Sequence, residues 1–408
     1  MRKWNNLFIL LPVLFIAQLS VVSCKKSVKD VDVLKIDTLK VVDTILYNGY
    51  YTIDSMGGAA PGIIVAAPFN ENILPSAAST GLLLMMDQNG KVLRTITTPG
   101  PAFCVNRWVI NGQVRYIYLV NDPAALRLYG VDEDAGYAII TDSNFNQIQR
   151  VNFTPYGQVP FQTGQALDVH DFIPVADSDY ITLSYDDKYV SNIPAYLEPA
   201  SREPVVAPII EEVNHGTVVW SWDGSADTSF YANSVEGNSF SDSSTGQDYM
   251  HMNSMFIDPR DNNLICSMRN QDQIIKINRQ TGAIMWRLGG KNSDFPLSAT
   301  QVFLRQHHAT LTDNNQTLLI FDDGEATQRP SSRIVEFQLD EANKVVTGFK
   351  SFDIPEPFSK VMGSVQKIGS EYFIGGGSAN YMLEINYTTG QKVMEFKSTQ
   401  ATYRAYKY

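Results

Sequence analysis

Apolar and polar residues alternate in short bursts from Gly62 onward, in runs rich in Val, Ile, Tyr and Phe that are bounded by Asn, Asp and Gly. A period of two puts successive side chains on opposite faces of a strand, and no window sustains the 3.6-residue recurrence of an amphipathic helix. The chain is therefore expected to be all-β.

A hairpin recurs within that pattern. Asn89-Gly90 precedes Lys91-Val92-Leu93, Asn146 precedes Gln147-Ile148, and His215-Gly216 precedes Thr217-Val218-Val219-Trp220. Thr281-Gly282 precedes Ala283-Ile284-Met285-Trp286, Asn343 precedes Lys344-Val345-Val346, and Thr389-Gly390 precedes Gln391-Lys392-Val393. Six copies spaced by about 45 to 70 residues place the variation in loops around a constant unit of about four strands. The expected fold is a six-bladed β-propeller over 62–408 with a short N-terminal extension, since a ring of such units buries the faces that one blade cannot bury alone. A two-sheet sandwich could use similar strands but would not explain the recurrence.

The first residues stand apart. Arg2 and Lys3 precede an apolar run from Leu7 to Val22, and Val21-Val22-Ser23-Cys24 is similar to a bacterial lipobox. Residues 1–23 are read as a lipoprotein leader, 24–61 as a tether with one or two strands, and Cys24 as the acylated first residue of an exported bacterial lipoprotein, lipid-anchored in the periplasm or at the cell surface. The apolar run is about 16 residues long and holds Pro12, which is short for a membrane span.

Composition narrows the classes. Apolar content of 44% and charge of 18% suit one large domain or two modest ones, and a net charge of −11 argues against a nucleic-acid partner. Cys104 and Cys266 could pair in an exported protein, but each also lies in an apolar stretch as a small buried residue, which is the preferred reading.

In a propeller the first strand of each blade lines the channel and starts at one mouth. Counting back from the hairpins puts His170, His251 and His307 at this station, within Asp168-Val169-His170-Asp171, His251-Met252-Asn253 and Gln306-His307. His215 falls at an outer hairpin and reads as a turn residue. A lone histidine in a β protein is usually structural, Arg269 alone would be a surface or ion-paired residue, and Asn253 a turn former. Three histidines at one station of a repeat reverse that expectation.

These residues resemble the bacterial arylsulfate sulfotransferases. The matching pieces are His170-Asp171-Phe172; His251-x-Asn253-Ser254; Arg269; Ile274-Ile275-Lys276-Ile277 through Thr281-Gly282, Trp286 and Leu288-Gly289-Gly290; and Gln306-His307 followed by Leu318 and Phe321-Asp322-Asp323-Gly324. The resemblance covers roughly 62–408 and implies transfer of a sulfuryl group from a phenolic sulfate ester to a phenol, by ping-pong through a covalent sulfohistidine and independent of a nucleotide sulfate donor. It makes His307 the covalently sulfated nucleophile and His170, His251, Asn253 and Arg269 its supporting residues. Their chemistry assigns His251 and Arg269 as sulfuryl binders, His170 as oxyanion binder or proton donor and Asn253 as a hydrogen-bonding positioner, with the division of labour between His170 and His251 left open by the sequence. His308 competes with His307, but side chains alternate along a strand, so only one of them is expected to face the channel. The motif position favours His307. No cofactor is implied, and the partners are an aryl sulfate donor, a phenolic acceptor and the membrane that holds the anchor. Larger relatives carry an N-terminal β-domain that helps dimerisation, so dimerisation is not carried over, and the small disulfide loop of some relatives has no counterpart.

The chemistry agrees. An aryl sulfate needs a nucleophile that is neutral near pH 7 and cationic donors for its oxygens, which histidine and arginine supply. Arg269 should bias a neighbouring histidine towards its neutral form.

Two other readings compete. The three histidines could bind zinc or copper, although a fixed Arg269 beside them opposes a divalent ion. The chain could also be a non-catalytic lipid-anchored binding module, since propellers host many functions. Asp-rich loops such as 258–263 match no defined calcium spacing. The segment Asp223 to Tyr249 could cover the channel mouth, with Phe230, Tyr231, Phe240 and Tyr249 lining a phenol pocket, or be a floppy insertion. Tyr403-Arg404-Ala405-Tyr406 could reach the channel on ring closure.

Overall fold

β-Branched and aromatic residues hold the chain extended, while residues that tolerate left-handed backbone turn it. Gly282 and Gly390 take φ 75° and 72° at their hairpins, and Phe145 and Lys344 take φ 60° and 56° at the two that lack glycine. The computed structural model describes residues 44–70, 80–122, 135–155 and 166–408. The expected leader, Cys24 and most of the tether lie outside the described residues.

The described chain is almost wholly strand, and its one α-helix is Ser229–Asn233. It is arranged as a β-propeller. Four sheets are separate antiparallel blades. In order from the inside out, one holds Ala401–Lys407, Ile63–Phe69, Gly81–Asp87 and Val92–Thr98. Another holds Met252–Ile257, Leu264–Met268, Gln273–Ile277 and Ile284–Gly289, and a third His307–Thr312, Thr317–Asp322, Arg333–Asp340 and Val345–Asp353. The fourth holds Ser364–Ile368, Glu371–Gly375, Tyr381–Asn386 and Lys392–Lys397, extended outward by Thr52–Ser55 and Thr44–Tyr47.

The expectation of six separate blades is corrected here. Four are separate, and where the second and third were expected there is one continuous eight-stranded sheet from Ala102–Ile110 to Thr217–Asp223. The join is the pairing of Leu167 with Gly136 and of Asp168 with Ala135. An open strand edge offers unpaired N–H and C=O groups, and here the neighbouring innermost strand takes them. Such a tertiary pairing leaves no trace in the hydrophobic period.

The terminal strand Ala401–Lys407 pairs with Ile63–Phe69, so the two ends of the described propeller complete one blade. It also places a charge in the interior. Arg404 is 2% exposed. Its Nη2 donates to Asn253 O at 2.7 Å and its Nη1 to Asp171 Oδ2 at 3.2 Å, with Cys104 Sγ at 3.1 Å from Nη1. Three other innermost strands are thereby tied to the closing one. Breaking a buried pair leaves the partner's charge uncompensated, so Arg404→Met is expected to cost about 3 kcal/mol of folding stability, read from the urea midpoint.

Bulges recur at one level of the innermost strands. Register slips between Met252 and Ser254 and between His307 and Ala309 leave Asn253 and His308 as extra residues. Equivalent slips fall between Phe103 and Asn106, Leu167 and Phe172, and Thr402 and Ala405. A bulge bends its strand and re-aims its side chains, so five innermost strands turn side chains at the level where the candidate residues lie.

The segment from Asp223 to Tyr249 is anchored in the core by its aromatic residues. Phe230, Tyr231, Phe240 and Tyr249 are between 0% and 3% exposed and pack with Trp222, Met250 and Met252. The expectation that they line a phenol pocket does not hold, because their apolar area is already spent on holding this segment against the sheets.

Candidate active site

The three histidines of the expected station lie at the end of the channel where the innermost strands begin. His170 is in Leu167–Ala176, His251 directly precedes Met252–Ile257, and His307 opens His307–Thr312. Each has a carboxylate on Nδ1. His170 Nδ1 is 2.7 Å from Asp168 Oδ1, whose oxygen also accepts from the His170 backbone N–H at 2.8 Å. His251 Nδ1 is 2.5 Å from Asp248 Oδ2, and its backbone N–H donates to Asp248 Oδ1 at 3.0 Å. His307 Nδ1 bonds Asp323 Oδ2 and lies 3.2 Å from Arg305 O. A carboxylate at Nδ1 keeps the proton on that nitrogen and fixes the ring plane, which turns Nε2 into the basic nitrogen. His170 and His251 stack edge to face with centroids 4.9 Å apart.

His307 is 2% exposed. Burial pushes its pKa well below the ordinary histidine value, and Arg269, His251, His170 and Arg404 push it the same way, in that order. The bias from Arg269 is present, second to desolvation. Burial raises the Asp323 carboxyl well above the ordinary range, with Arg269 opposing. The direction that both environments favour is a neutral imidazole bonded to its carboxyl group. Its Nε2 lone pair accepts from the Met362 N–H at 3.2 Å.

Arg269 starts a 3₁₀ turn, Arg269–Gln271, directly after the strand Leu264–Met268, and its N–H donates to His251 O at 2.9 Å. The turn sends its guanidinium towards the mouth, where Nη1 donates to Glu236 Oε2 at 3.0 Å and to Asn270 Oδ1 at 2.7 Å. Its Nε is buried and makes no hydrogen bond among the described residues. Asn253 is fully buried, and its side-chain N–H donates to Gln306 O at 2.8 Å, directly before His307. Gln306 in turn donates to Ser267 Oγ, Met268 O and Gln273 O at 3.1, 3.1 and 3.0 Å. The backbone that carries His307 is thus clamped from the neighbouring blade.

A bulge rather than alternation separates His308 from His307. It puts His308 at φ 45°, where its Nδ1 accepts from the Val365 N–H at 3.2 Å within Ser364–Ile368, while His307 meets Met362, two residues before that strand. His308 lines a cavity of about 310 Å³ at the other end of the innermost strands, next to Tyr406. His215 is at φ 49° in its hairpin with Nδ1 2.8 Å from Asn214 Oδ1, a turn residue as expected. Cys104 and Cys266 are free and buried, and burial pushes both thiols up.

Sequence reasoning missed the carboxylates. Asp168 and Asp248 stand two and three residues before their histidines, a local spacing that could have been read. Asp323 lies sixteen residues beyond His307 and meets it only because the strands His307–Thr312 and Thr317–Asp322 pair. For the rival metal reading, no group of three or more His, Cys, Asp or Glu among the described residues is arranged to hold a metal ion.

His307 and His308 are both buried with pKa values held well below 6.5, chiefly by desolvation. A depressed folded-state pKa means that the unfolded chain takes up protons first. The stability from these neutral rings is therefore complete above about pH 6.5 and is lost as pH falls below it. Glu203, Glu211 and Glu371, pushed up to about 7, 8 and 7 chiefly by burial, act in the opposite sense over the same range, so the test is a difference. Relative to the natural protein, His308→Gln should gain stability, read from the urea midpoint, as pH falls from about 7.5 to about 5, with a limiting slope of about 1.4 kcal/mol per pH unit.

The sequence pattern of one family, described as Arylsulfotransferase (ASST), matches residues 76–408. No curated protein matches the chain. Among solved structures, a protein of unknown function from Bacteroides caccae is 8% identical with a TM-score of 0.44, the alignment covering 85% of this chain and 98% of that one. A putative 6-phosphogluconolactonase from Bacteroides uniformis is 9% identical with a TM-score of 0.44, covering 89% and 96%. A streptogramin B lyase is 12% identical with a TM-score of 0.41, covering 85% and 87%.

Proposed function

Because the chain belongs to the arylsulfotransferase (ASST) family, we propose that it carries a sulfuryl group from an aryl sulfate ester to a phenol as a covalent sulfohistidine on His307, without a nucleotide sulfate donor. Family membership supports aryl sulfotransferase activity in general. The observation that carries the finer reading is the setting of His307: a buried imidazole beside Arg269, both of which push its pKa down, with Nδ1 held by Asp323.

In the first half-reaction Nε2 attacks sulfur. The N–S bond forms, the S–O bond to the aryl group breaks, and the phenolate leaves with that electron pair. The attacking lone pair is the one that accepts from Met362 N–H, so this amide gives it up when the donor binds. Arg269 stabilises charge on the sulfuryl oxygens, and its buried, unpartnered Nε is a donor of the required kind. Sulfation at Nε2 makes the ring cationic while Nδ1 keeps its proton, and Asp323 is placed to balance that charge. One of His170 and His251, steadied by its own carboxylate and acting in its protonated form, gives its Nε2 proton to the departing phenolate and is left neutral. Asn253 holds the Gln306–His307 backbone in register. In the second half-reaction the oxygen of a different phenol attacks sulfur, the N–S bond breaks with its electron pair returning to Nε2, and the phenol's hydroxyl proton passes to the histidine that protonated the first phenolate.

We further place the protein outside the cytoplasm, tethered to a membrane through an acylated Cys24. The test of the catalytic reading is p-nitrophenyl sulfate as donor with phenol as acceptor. The expected result is release of p-nitrophenol that depends on phenol, with parallel double-reciprocal lines. Intersecting lines would contradict a covalent intermediate, and no release would defeat the transferase reading.

A further inference from the structure

One carboxylate at the channel mouth is shared by two arginines. Glu236, from the segment between the strands Thr217–Asp223 and Met252–Ile257, accepts on Oε2 from Arg269 Nη1 at 3.0 Å and lies 3.0 Å from Arg305 Nε through the same oxygen. Arg305 stands two residues before His307. Its backbone N–H and its Nη1 both donate to Asp272 Oδ1, at 2.7 and 3.0 Å, and its carbonyl is 3.2 Å from His307 Nδ1. These contacts hold it at φ 53°, a left-handed backbone that a non-glycine residue adopts only when its surroundings impose it.

The two sides of this contact differ. Both arginine side chains are 13% exposed, and each is fixed by a second partner, Asn270 for Arg269 and Asp272 for Arg305. Glu236 is 47% exposed, and its carboxylate makes these two contacts alone among the described residues. The cations are built in, whereas the anion is the replaceable member.

We infer that Arg305 is a second binding residue for the sulfate ester of the donor, acting with Arg269, and that Glu236 occupies their shared position in the free protein until the donor displaces it. The inference rests on the sulfotransferase reading above. A sulfate monoester spreads one negative charge over three terminal oxygens, so it can engage two guanidinium groups that converge on one point. Exchange of one anion for another leaves the net charge of the mouth unchanged. A neutral phenol has no such claim on the arginines, so the contact selects for the anionic donor over the acceptor and sets its affinity by competition.

Steady-state kinetics with p-nitrophenyl sulfate and phenol tests this. Arg305→Gln is expected to raise KM for the donor about tenfold with little change in kcat, and Arg305→Lys to recover part of that. Glu236→Gln should lower the donor KM by about two- to fivefold and leave the phenol KM unchanged. Sodium sulfate titrated by calorimetry reads the same position without turnover, and should bind more tightly to Glu236→Gln and more weakly to Arg305→Gln than to the natural protein. Equal sulfate affinities in all three, or a Glu236→Gln variant with a higher donor KM, would overturn the inference while leaving the transferase reading intact. Absence of transfer by the natural protein would instead overturn that reading, and the sulfate titration would still decide the roles of Arg305 and Glu236.

Discussion

His307→Ala is expected to lower sulfuryl transfer by roughly 10⁴-fold or more, since it removes the atom that forms the covalent bond. No neighbour replaces it. His308 reaches the adjacent strand at another depth and faces the far cavity, and His170 and His251 are pinned to Asp168 and Asp248 on other strands. The variant should still fold, because the contacts that clamp this backbone, Asn253 to Gln306 O and Gln306 to Ser267 Oγ, do not use the imidazole. Assays of p-nitrophenol release alongside thermal unfolding separate the two effects. A folded variant with undiminished transfer would remove His307 from the mechanism.

The second large effect is expected at Asp323. Asp323→Asn keeps the shape but not the chemistry: the amide can donate to Nδ1 through its NH₂, which moves the ring proton to Nε2 and removes the attacking lone pair. It also removes the carboxyl group whose ionised form would balance a sulfated, cationic ring. A carboxylate-to-amide change of this kind beside a reacting imidazole costs about 10²- to 10⁴-fold in kcat. The donor KM should change little, since Asp323 touches the ring and not the substrate. Equal loss for donor binding and turnover, or no loss, would make Asp323 a packing residue.

Much of the fold and of the histidine station is legible in the order of residues alone. Alternation gives way to hairpins at Gly216, Gly282 and Asn343, and counting back from them places His170, His251 and His307 at the start of innermost strands, where the structure also has them. What the chain does not disclose lies in contacts between elements. The edge of Ala135–Thr141 fuses two strand sets through Gly136 and Leu167, so separate blades number four and not six. Strict alternation would set His308 on the face opposite His307, whereas a bulge, which inserts one residue into the register, sets the two rings at different depths instead. Phe230, Tyr231, Phe240 and Tyr249 look like a pocket lining by residue type, but burial between sheets is decided by packing. The meeting of Asp323 with His307, and of Glu236 with Arg269 and Arg305, needs three-dimensional pairing that no local spacing encodes.

The central claim is that His307 carries the sulfuryl group. The direct measurement is mass spectrometry of the protein quenched during turnover with p-nitrophenyl sulfate and no acceptor, under alkaline conditions that preserve an N-sulfonated imidazole. The predicted result is that the peptide holding His307 gains the mass of one sulfuryl group, on the ring, and loses it when phenol is added. A transferring protein whose His307 peptide stays unmodified, or whose label sits on another residue, would contradict it.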